Sequence, residues 1–194
     1  RDSSTSRGLG DVYKRQGAKI MFDPRLTWNT EAILQRDGGV PVRCKSGHAF
    51  MKECMRNNEV LYGGEMSAHH YFRDFSCCDS GMIPWLLVTE LMCRSGKKLS
   101  ELVGERVAMY PCSGEINRKV ADSAAVLAEL GKKYADGEQD YLDGLSVAYD
   151  NWRFNVRVSN TEPVMRLNVE TKGDKELLAA KTAELLEVIG GEEA

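Results

Sequence analysis

No C-x-x-C pair occurs among the six cysteines, Cys44, Cys54, Cys77, Cys78, Cys93 and Cys112. In a chain of 194 residues, six cysteines do not make the dense disulfide framework of a small secreted scaffold. Their spacing points to reduced thiols and a cytoplasmic setting. Long apolar runs are also missing: the most apolar stretch, Met82 to Met92, is broken by Thr89 and Glu90 and falls far short of the roughly 20 residues that span a bilayer. No membrane partner is expected. Positive charge is not in excess, with 26 Lys and Arg against 29 Asp and Glu and a net charge of -3. The chain therefore has no overall basic field for nucleic acid, although a local basic pocket is compatible with that total.

What is present is ordinary globular material, 42% hydrophobic and 28% charged, enough to bury the core of one large domain or two small ones. Arg1 to Gln16, rich in Ser, Arg and Gly, shows neither helical nor strand periodicity and lacks the apolar core of a secretory signal. It is expected to be a non-native or disordered leader. From residue 17 strand and helix patterns alternate: strands over 18–22, 40–43 and 60–62, and helices over 30–36, 47–57 and 80–94, with a short helix over 99–102. This is the order of an α/β layer, residues 17–110. Pro111, Ser113 and Gly114 place a boundary near 109–114. Residues 111–194 then read as an α+β domain, a small antiparallel sheet covered by two helices. The first of these helices runs over 124–134 with Ser123 as its cap; the second is capped by Asp174 and carries Leu178, Leu185 and Ile189 on one stripe.

The stretch from Trp152 to Glu170, WRFNVRVSNTEPVMRLNVE, organises that second domain. Trp152, Phe154, Val156 and Val158 alternate with Arg153, Asn155, Arg157 and Ser159; Met165, Leu167 and Val169 alternate with Arg166, Asn168 and Glu170. A period of two on both sides of an Asn- and Pro-containing turn predicts two half-buried antiparallel strands, one face apolar and one polar. Arg157, Ser159, Asn160 and Thr161 have the chemistry of a phosphate receptor: a planar guanidinium fork, two hydroxyls, an amide and the N–H groups of a turn. The same residues are also ordinary hairpin chemistry with an arginine beside it.

A second polar cluster, YGGEMSAHHYF from Tyr62 to Phe72, follows a predicted strand, where open α/β sheets collect ligands. Glu65 and Ser67 could accept from and donate to vicinal hydroxyls. Glu65 could equally cap a loop, and His69 and His70 could be structural. A soft-metal site from His69, His70, Cys77 and Cys78 does not match the ligand spacing of ordinary zinc sites.

Together, G-E-M-S-A-H-H-Y-F and the later R-V-S-N-T-E-P-V-M-R-L-N-V-E resemble the α-D-phosphohexomutase family, which includes bacterial phosphomannomutases and phosphoglucomutases. The resemblance runs from about Gly17 to Ile189. It implies four domains, with this chain similar to most of the third and all of the fourth. It further implies that Glu65 and Ser67 bind sugar hydroxyls and that Arg157, Ser159, Asn160 and Thr161 hold the phosphate not being transferred. Arg25, His48 and His69 match positions lining the same cleft. The implied reaction interconverts hexose 6-phosphate and hexose 1-phosphate through a hexose 1,6-bisphosphate.

The resemblance also implies parts that have no match here. The family's phosphoserine lies in a T-x-S-H-N-type loop of the first domain and its Mg2+ on a D-G-D-G-D-type loop of the second; neither motif occurs in this sequence. No catalytic residue, metal or bound cofactor is thus expected within the chain, which should bind hexose phosphate without turnover and should have the missing N-terminal domains as its partners. The rival expectation is a stand-alone phosphosugar-binding or regulatory module.

Overall fold

The computed structural model of the chain describes residues 17–159 and 163–194. Arg1 to Gln16 and the turn residues Asn160 and Thr161, singled out above, lie outside the described residues. The described residues divide into two compact units, residues 17–23 with 27–103 and the described part of 104–194 with the tripeptide Pro24–Leu26.

The first unit is α/β. Its mixed sheet has the strand order β2-β1-β3-β4-β5 among the described residues, with β1 (Lys19–Phe22) parallel to β2 (Val40–Arg43) and to β3 (Tyr62–Gly64). Strands β4 (His70–Phe72) and β5 (Cys78–Asp79) then return antiparallel. Helices α1 (Trp28–Asp37) and α2 (His48–Asn57) make the crossovers. Side chains alternate across β1, so Ile20 and Phe22 pack with Leu34 of α1 while Met21 packs with Met51 and Met55 of α2. Strand β3 begins later than its Val60–Tyr62 pattern predicts and runs through Gly63 and Gly64. A Cβ on Gly63 would lie 2.4 Å from Cε of Met21, so a residue that reads as a turn former here leaves room for the buried Met21 side chain on the neighbouring strand.

Helices α3 (Met82–Ser95) and α4 (Leu99–Met109) complete this part. Helix α4 is longer than the expected four residues: it continues through Gly104, despite that residue's low helix propensity, and the division between units falls within it, between Val103 and Gly104. Neither helix has a buried residue, and Trp85, Leu86, Leu91, Val103 and Val107 are exposed.

The second unit is α+β, a fully antiparallel sheet in the order β11-β6-β10-β9-β8-β7 among the described residues. Its strands are β6 (Ile116–Lys119), β7 (Glu138–Asp140), β8 (Leu145–Ala148), β9 (Trp152–Val158), β10 (Met165–Thr171) and β11 (Glu192–Glu193). Helices α5 (Ser123–Lys133) and α6 (Lys175–Ile189) cover one face. Leu130, Tyr134, Leu185 and Ile189 meet Val147, Phe154, Val156, Leu167 and Val169 there. Trp152 stacks on Tyr149, with ring centroids 4.8 Å apart, and Tyr134 meets Phe154 edge-on at 5.1 Å.

Two local expectations need correction. Helix α5 is capped by Asp122, not Ser123: Asp122 is extended and its carboxylate accepts from the N–H groups of Ala124 and Ala125, leaving Ser123 as the first helical residue. Asp174 caps α6 as expected, accepting from Leu177 N–H at 2.8 Å. The second correction is larger. Strands β9 and β10 are buried on their polar face as well as their apolar one: Arg153, Asn155, Arg157, Asn168 and Glu170 are all at most 5% exposed. Alternation of residue type shows which side chains share a face but not whether that face is covered.

Candidate functional site

The polar face of β9 and β10 is built from three directly opposed pairs, Arg153 with Glu170, Asn155 with Asn168, and Arg157 with Arg166. The first is a buried ion pair at 2.7 Å. Arg153 also donates to main-chain oxygens, Nη1 to Arg25 at 3.1 Å and Nη2 to Pro24 at 2.8 Å. A buried guanidinium is tolerable only when its charge and its donors are both met, and here the same group ties the Pro24–Arg25 backbone to β9. The middle pair anchors two loops: Asn155 Nδ2 donates to the Asp143 carbonyl and Asn168 Nδ2 to the Gly114 carbonyl. Gly144, at φ 75, lies so close to β9 that a Cβ would sit 2.3 Å from the Val156 carbonyl oxygen. Only glycine allows that approach, which closes the 141–144 loop over Arg157.

The third pair sets like charges face to face, which is unfavourable without a counter-ion. The counter-ion is Glu115, just ahead of β6. Its Oε2 is 3.2 Å from Arg25 Nη1 and 3.4 Å from Arg157 Nη2, and its Oε1 is 3.2 Å from Arg166 Nη1. Three guanidiniums therefore surround one carboxylate. Arg157 Nε is buried without a hydrogen-bond partner among the described residues. Ser159, nearly buried, follows directly, its N–H donating to the Val164 carbonyl at 2.9 Å. The cluster thus carries a net excess of fixed positive charge, with a serine beside it and, at Arg157 Nε, an N–H without a hydrogen-bond partner among the described residues.

Of the residues expected at a phosphate site, Arg157 and Ser159 lie in this unit beside Arg25, which was expected only to line the cleft, and Asn160 and Thr161 lie outside the described residues. Arg166 and Glu115 were not anticipated. Arg166 could have been found by continuing the hairpin register back from the turn; Glu115 reaches the cluster from a segment 42 residues from Arg157 and carries no local signal.

In the first unit, Glu65 follows β3 at the carboxyl end of the parallel strands, in a loop where Ala68 takes φ 64. Asp23, just past β1, accepts from Met66 N–H at 2.7 Å and fixes that loop to the neighbouring strand. Glu65 is buried, its Oε1 accepting from Gly47 N–H at 2.8 Å and its Oε2 from the Tyr71 hydroxyl at 2.6 Å. Burial, and then the bond to this carboxylate, push the Tyr71 hydroxyl far above its usual pKa, so it remains a donor. Each carboxylate oxygen keeps a second acceptor position. Ser67 and His69 are exposed on the same loop, Ser67 Oγ 3.1 Å from His69 Nδ1. His48, also exposed, opens α2 next to the Gly47 that Glu65 holds. His70 has a different character: it stacks on Tyr62, bonds its hydroxyl through Nδ1, and has its pKa lowered by burial and by the adjacent His69. Among the described residues no three His, Cys, Asp or Glu side chains come together as a metal would need. No helix among the described residues is long and apolar enough to cross a membrane.

Both units, the α/β one and the antiparallel one that follows it, have counterparts in one family of known proteins. Residues 7–110 match the family model for phosphoglucomutase/phosphomannomutase alpha/beta/alpha domain III, and residues 115–188 that for the phosphoglucomutase/phosphomannomutase C-terminal domain. The first match begins inside the stretch read from composition as a leader. The chain belongs to the phosphoglucomutase/phosphomannomutase family. It is 58% identical over 180 residues to a phosphomannomutase of Salmonella montevideo, covering 92% of this chain and 40% of that protein. It is also 55% identical over 182 residues to the phosphohexose mutases of Xanthomonas campestris pv. campestris (strain B100), covering 93% of this chain and 41% of the relative. Among solved structures, a phosphoglucomutase/phosphomannomutase family protein from Burkholderia thailandensis superposes with TM-score 0.76 at 26% identity, over 97% of this chain and 42% of that one. The chain thus spans about two fifths of the length of these relatives.

Proposed function

We propose that this chain is the substrate-recognition part of a phosphomannomutase or phosphoglucomutase, an intramolecular phosphotransferase that interconverts hexose 6-phosphate and hexose 1-phosphate through a bisphosphate. The observation that carries the proposal is the convergence of Arg25, Arg157 and Arg166 on one carboxylate, with Ser159 beside them. In this reading Arg157, Ser159, Asn160 and Thr161 grip the phosphate that is not being transferred, and Arg25 adds charge. Glu65 and Ser67 orient the sugar through adjacent hydroxyls, with His48 and His69 near them. Such residues contribute by positioning and by fixed electrostatics, not by bond making. The proposal gives the chain binding and leaves phosphoryl transfer to a phosphoserine and Mg2+ held by other domains of the longer protein; when bound there, Mg2+ would stabilise charge on the transferring phosphoryl group. A cytoplasmic setting goes with the reading and agrees with the spacing of the cysteines.

Titration by NMR with millimolar mannose 6-phosphate, glucose 6-phosphate and inorganic phosphate tests it. Arg157→Ala should weaken all three, because a charge-assisted contact is lost, by about tenfold to hundredfold. Glu65→Gln should weaken the sugar phosphates and leave inorganic phosphate as it was. Phosphate binding unchanged in Arg157→Ala, or damaged equally by both substitutions, overturns the division of roles.

A further inference from the structure

Met21, Gly63 and Tyr71 lie side by side across β1, β3 and β4, Met21 paired with Gly63 and Gly63 with Tyr71. Paired residues share one side of a sheet, and on that side Tyr71 packs with Met21, Met51, Met55 and Val60 at 0% exposure. The β3–β4 pairing continues one step outward, since Glu65 N–H donates to the His69 carbonyl at 2.9 Å. Glu65, two residues beyond Gly63, is therefore on the same side as Tyr71 and diagonal to it, within reach of a long side chain. The tyrosine ring fills the core while its hydroxyl leaves it, meeting Glu65 Oε2 at 2.6 Å.

For the core alone phenylalanine would serve, with the same ring and no buried hydroxyl to satisfy. The hydroxyl serves Glu65, whose side chain is 5% exposed, because a buried carboxylate is costly unless its oxygens accept hydrogen bonds. Its donors come from two different elements, Gly47 N–H at the head of α2 on Oε1 and Tyr71 of β4 on Oε2. One donor on each oxygen fixes the rotation of the carboxylate as well as its place. Resting on the reading of this loop as the sugar site, we propose that Tyr71 is a positioning residue for sugar recognition, holding Glu65 Oε2 from the core side so that the carboxylate meets two adjacent sugar hydroxyls in one orientation. Without that hold Oε2 has another partner to turn to. His69 Nδ1 is 3.9 Å away, on a side chain 52% exposed, and is engaged by Ser67 Oγ at 3.1 Å. A released carboxylate would draw the imidazole from Ser67, so that one missing hydroxyl disturbs three residues of the loop.

NMR titration of the full chain with glucose 6-phosphate and with inorganic phosphate tests this. Tyr71→Phe keeps the ring and removes the hydroxyl. It should bind glucose 6-phosphate about tenfold more weakly, the scale of one hydrogen bond to a charged group, and bind inorganic phosphate as the parent does. Altered packing could weaken binding too, so the deciding readout is a double-mutant cycle with Glu65→Gln. If Tyr71 acts through the carboxylate, adding Tyr71→Phe to Glu65→Gln should change affinity by less than about twofold, since no carboxylate is left to orient. Three results would overturn the proposal while the sugar-site reading stands: unchanged or tighter glucose 6-phosphate binding in Tyr71→Phe, an equal loss of inorganic phosphate, or effects that add in the double variant. If Glu65→Gln itself leaves glucose 6-phosphate binding as it was, the sugar-site reading fails and the proposal with it. Should Tyr71→Phe not fold, the parent carries the test. The Tyr71 hydroxyl proton, buried and hydrogen-bonded, should give a slowly exchanging resonance that shifts as glucose 6-phosphate saturates the chain and stays in place with inorganic phosphate. A resonance that ignores the sugar phosphate, or follows both ligands alike, overturns the proposal.

Discussion

Strands β9 and β10 bury a row of charged and amide side chains, whereas helices α3 and α4 expose a row of leucines, valines and a tryptophan. By composition alone the order should be reversed. The strands can bury Arg153 and Glu170 because the two charges pair with each other and the guanidinium also donates to the main-chain carbonyls of Pro24 and Arg25. The apolar residues of the helices stay exposed because, among the described residues, no matching surface packs over them. What decides burial is the presence of a matching surface, polar or apolar, and not the polarity of the residue itself.

The largest effect separating the two regions should come from Arg153. Arg153→Met removes one partner of a buried pair and leaves Glu170 charged and uncompensated, a loss of about 3 to 5 kcal/mol. Urea unfolding followed by Trp152, which is 6% exposed and stacked on Tyr149, should show the midpoint fall accordingly. Because Arg153 also holds the Pro24 and Arg25 carbonyls, amide exchange at Arg25 and Leu26 should accelerate. A midpoint unchanged within about 0.5 kcal/mol would mean that the polar face is solvated and that the contrast between the regions is false.

This contrast also divides what could be read from the sequence from what could not. Period-two alternation was enough for β9 and β10, and alternating strand and helix patterns for the first unit, because both follow from backbone geometry. The cap of α5 was misread by one residue, since adjacent Asp122 and Ser123 are both competent caps and only the extended backbone at Asp122 decides between them. Strands β4, β5, β7 and β11, at two or three residues each, are too short to show a period. At the candidate site, Arg157 and Ser159 were legible from chemistry next to a turn. Glu115 was not, because its role comes from the pairing of β6 with β10, a long-range register that no local window contains.

A second, smaller effect tests the apolar side of β10. Leu167 is 1% exposed in the core beneath α5 and α6. Leu167→Ala should cost about 2 to 5 kcal/mol, the transfer term plus the cavity left in a packed core. Chemical unfolding measured by far-UV circular dichroism would show it. A loss below about 1 kcal/mol would mean that the core around Leu167 collapses to fill the gap, and that burial in this unit is less rigid than the pairing of its strands implies.

The smallest effect is expected from the same substitution in α3. Leu91 is 53% exposed, so Leu91→Ala deletes methyl groups that already face water and installs a slightly better helix former. Its change in unfolding free energy should fall within about 0.5 kcal/mol of zero. Set against Leu167→Ala, this makes the covering surface the main variable, because the same atoms are deleted and the backbone preference of Ala, helix against strand, contributes at most about 1 kcal/mol. The comparison can be sharpened by repeating Leu91→Ala over a range of protein concentrations. A cost near that of Leu167→Ala at every concentration would show that the face of α3 is covered within the chain, and would break the contrast. A cost that appears only as concentration rises would show that copies of the chain cover one another there, since burial that depends on association follows mass action. No cost at any concentration would leave the leucines of α3 and the arginines of β9 as the two halves of one rule: a side chain contributes according to the surface that meets it.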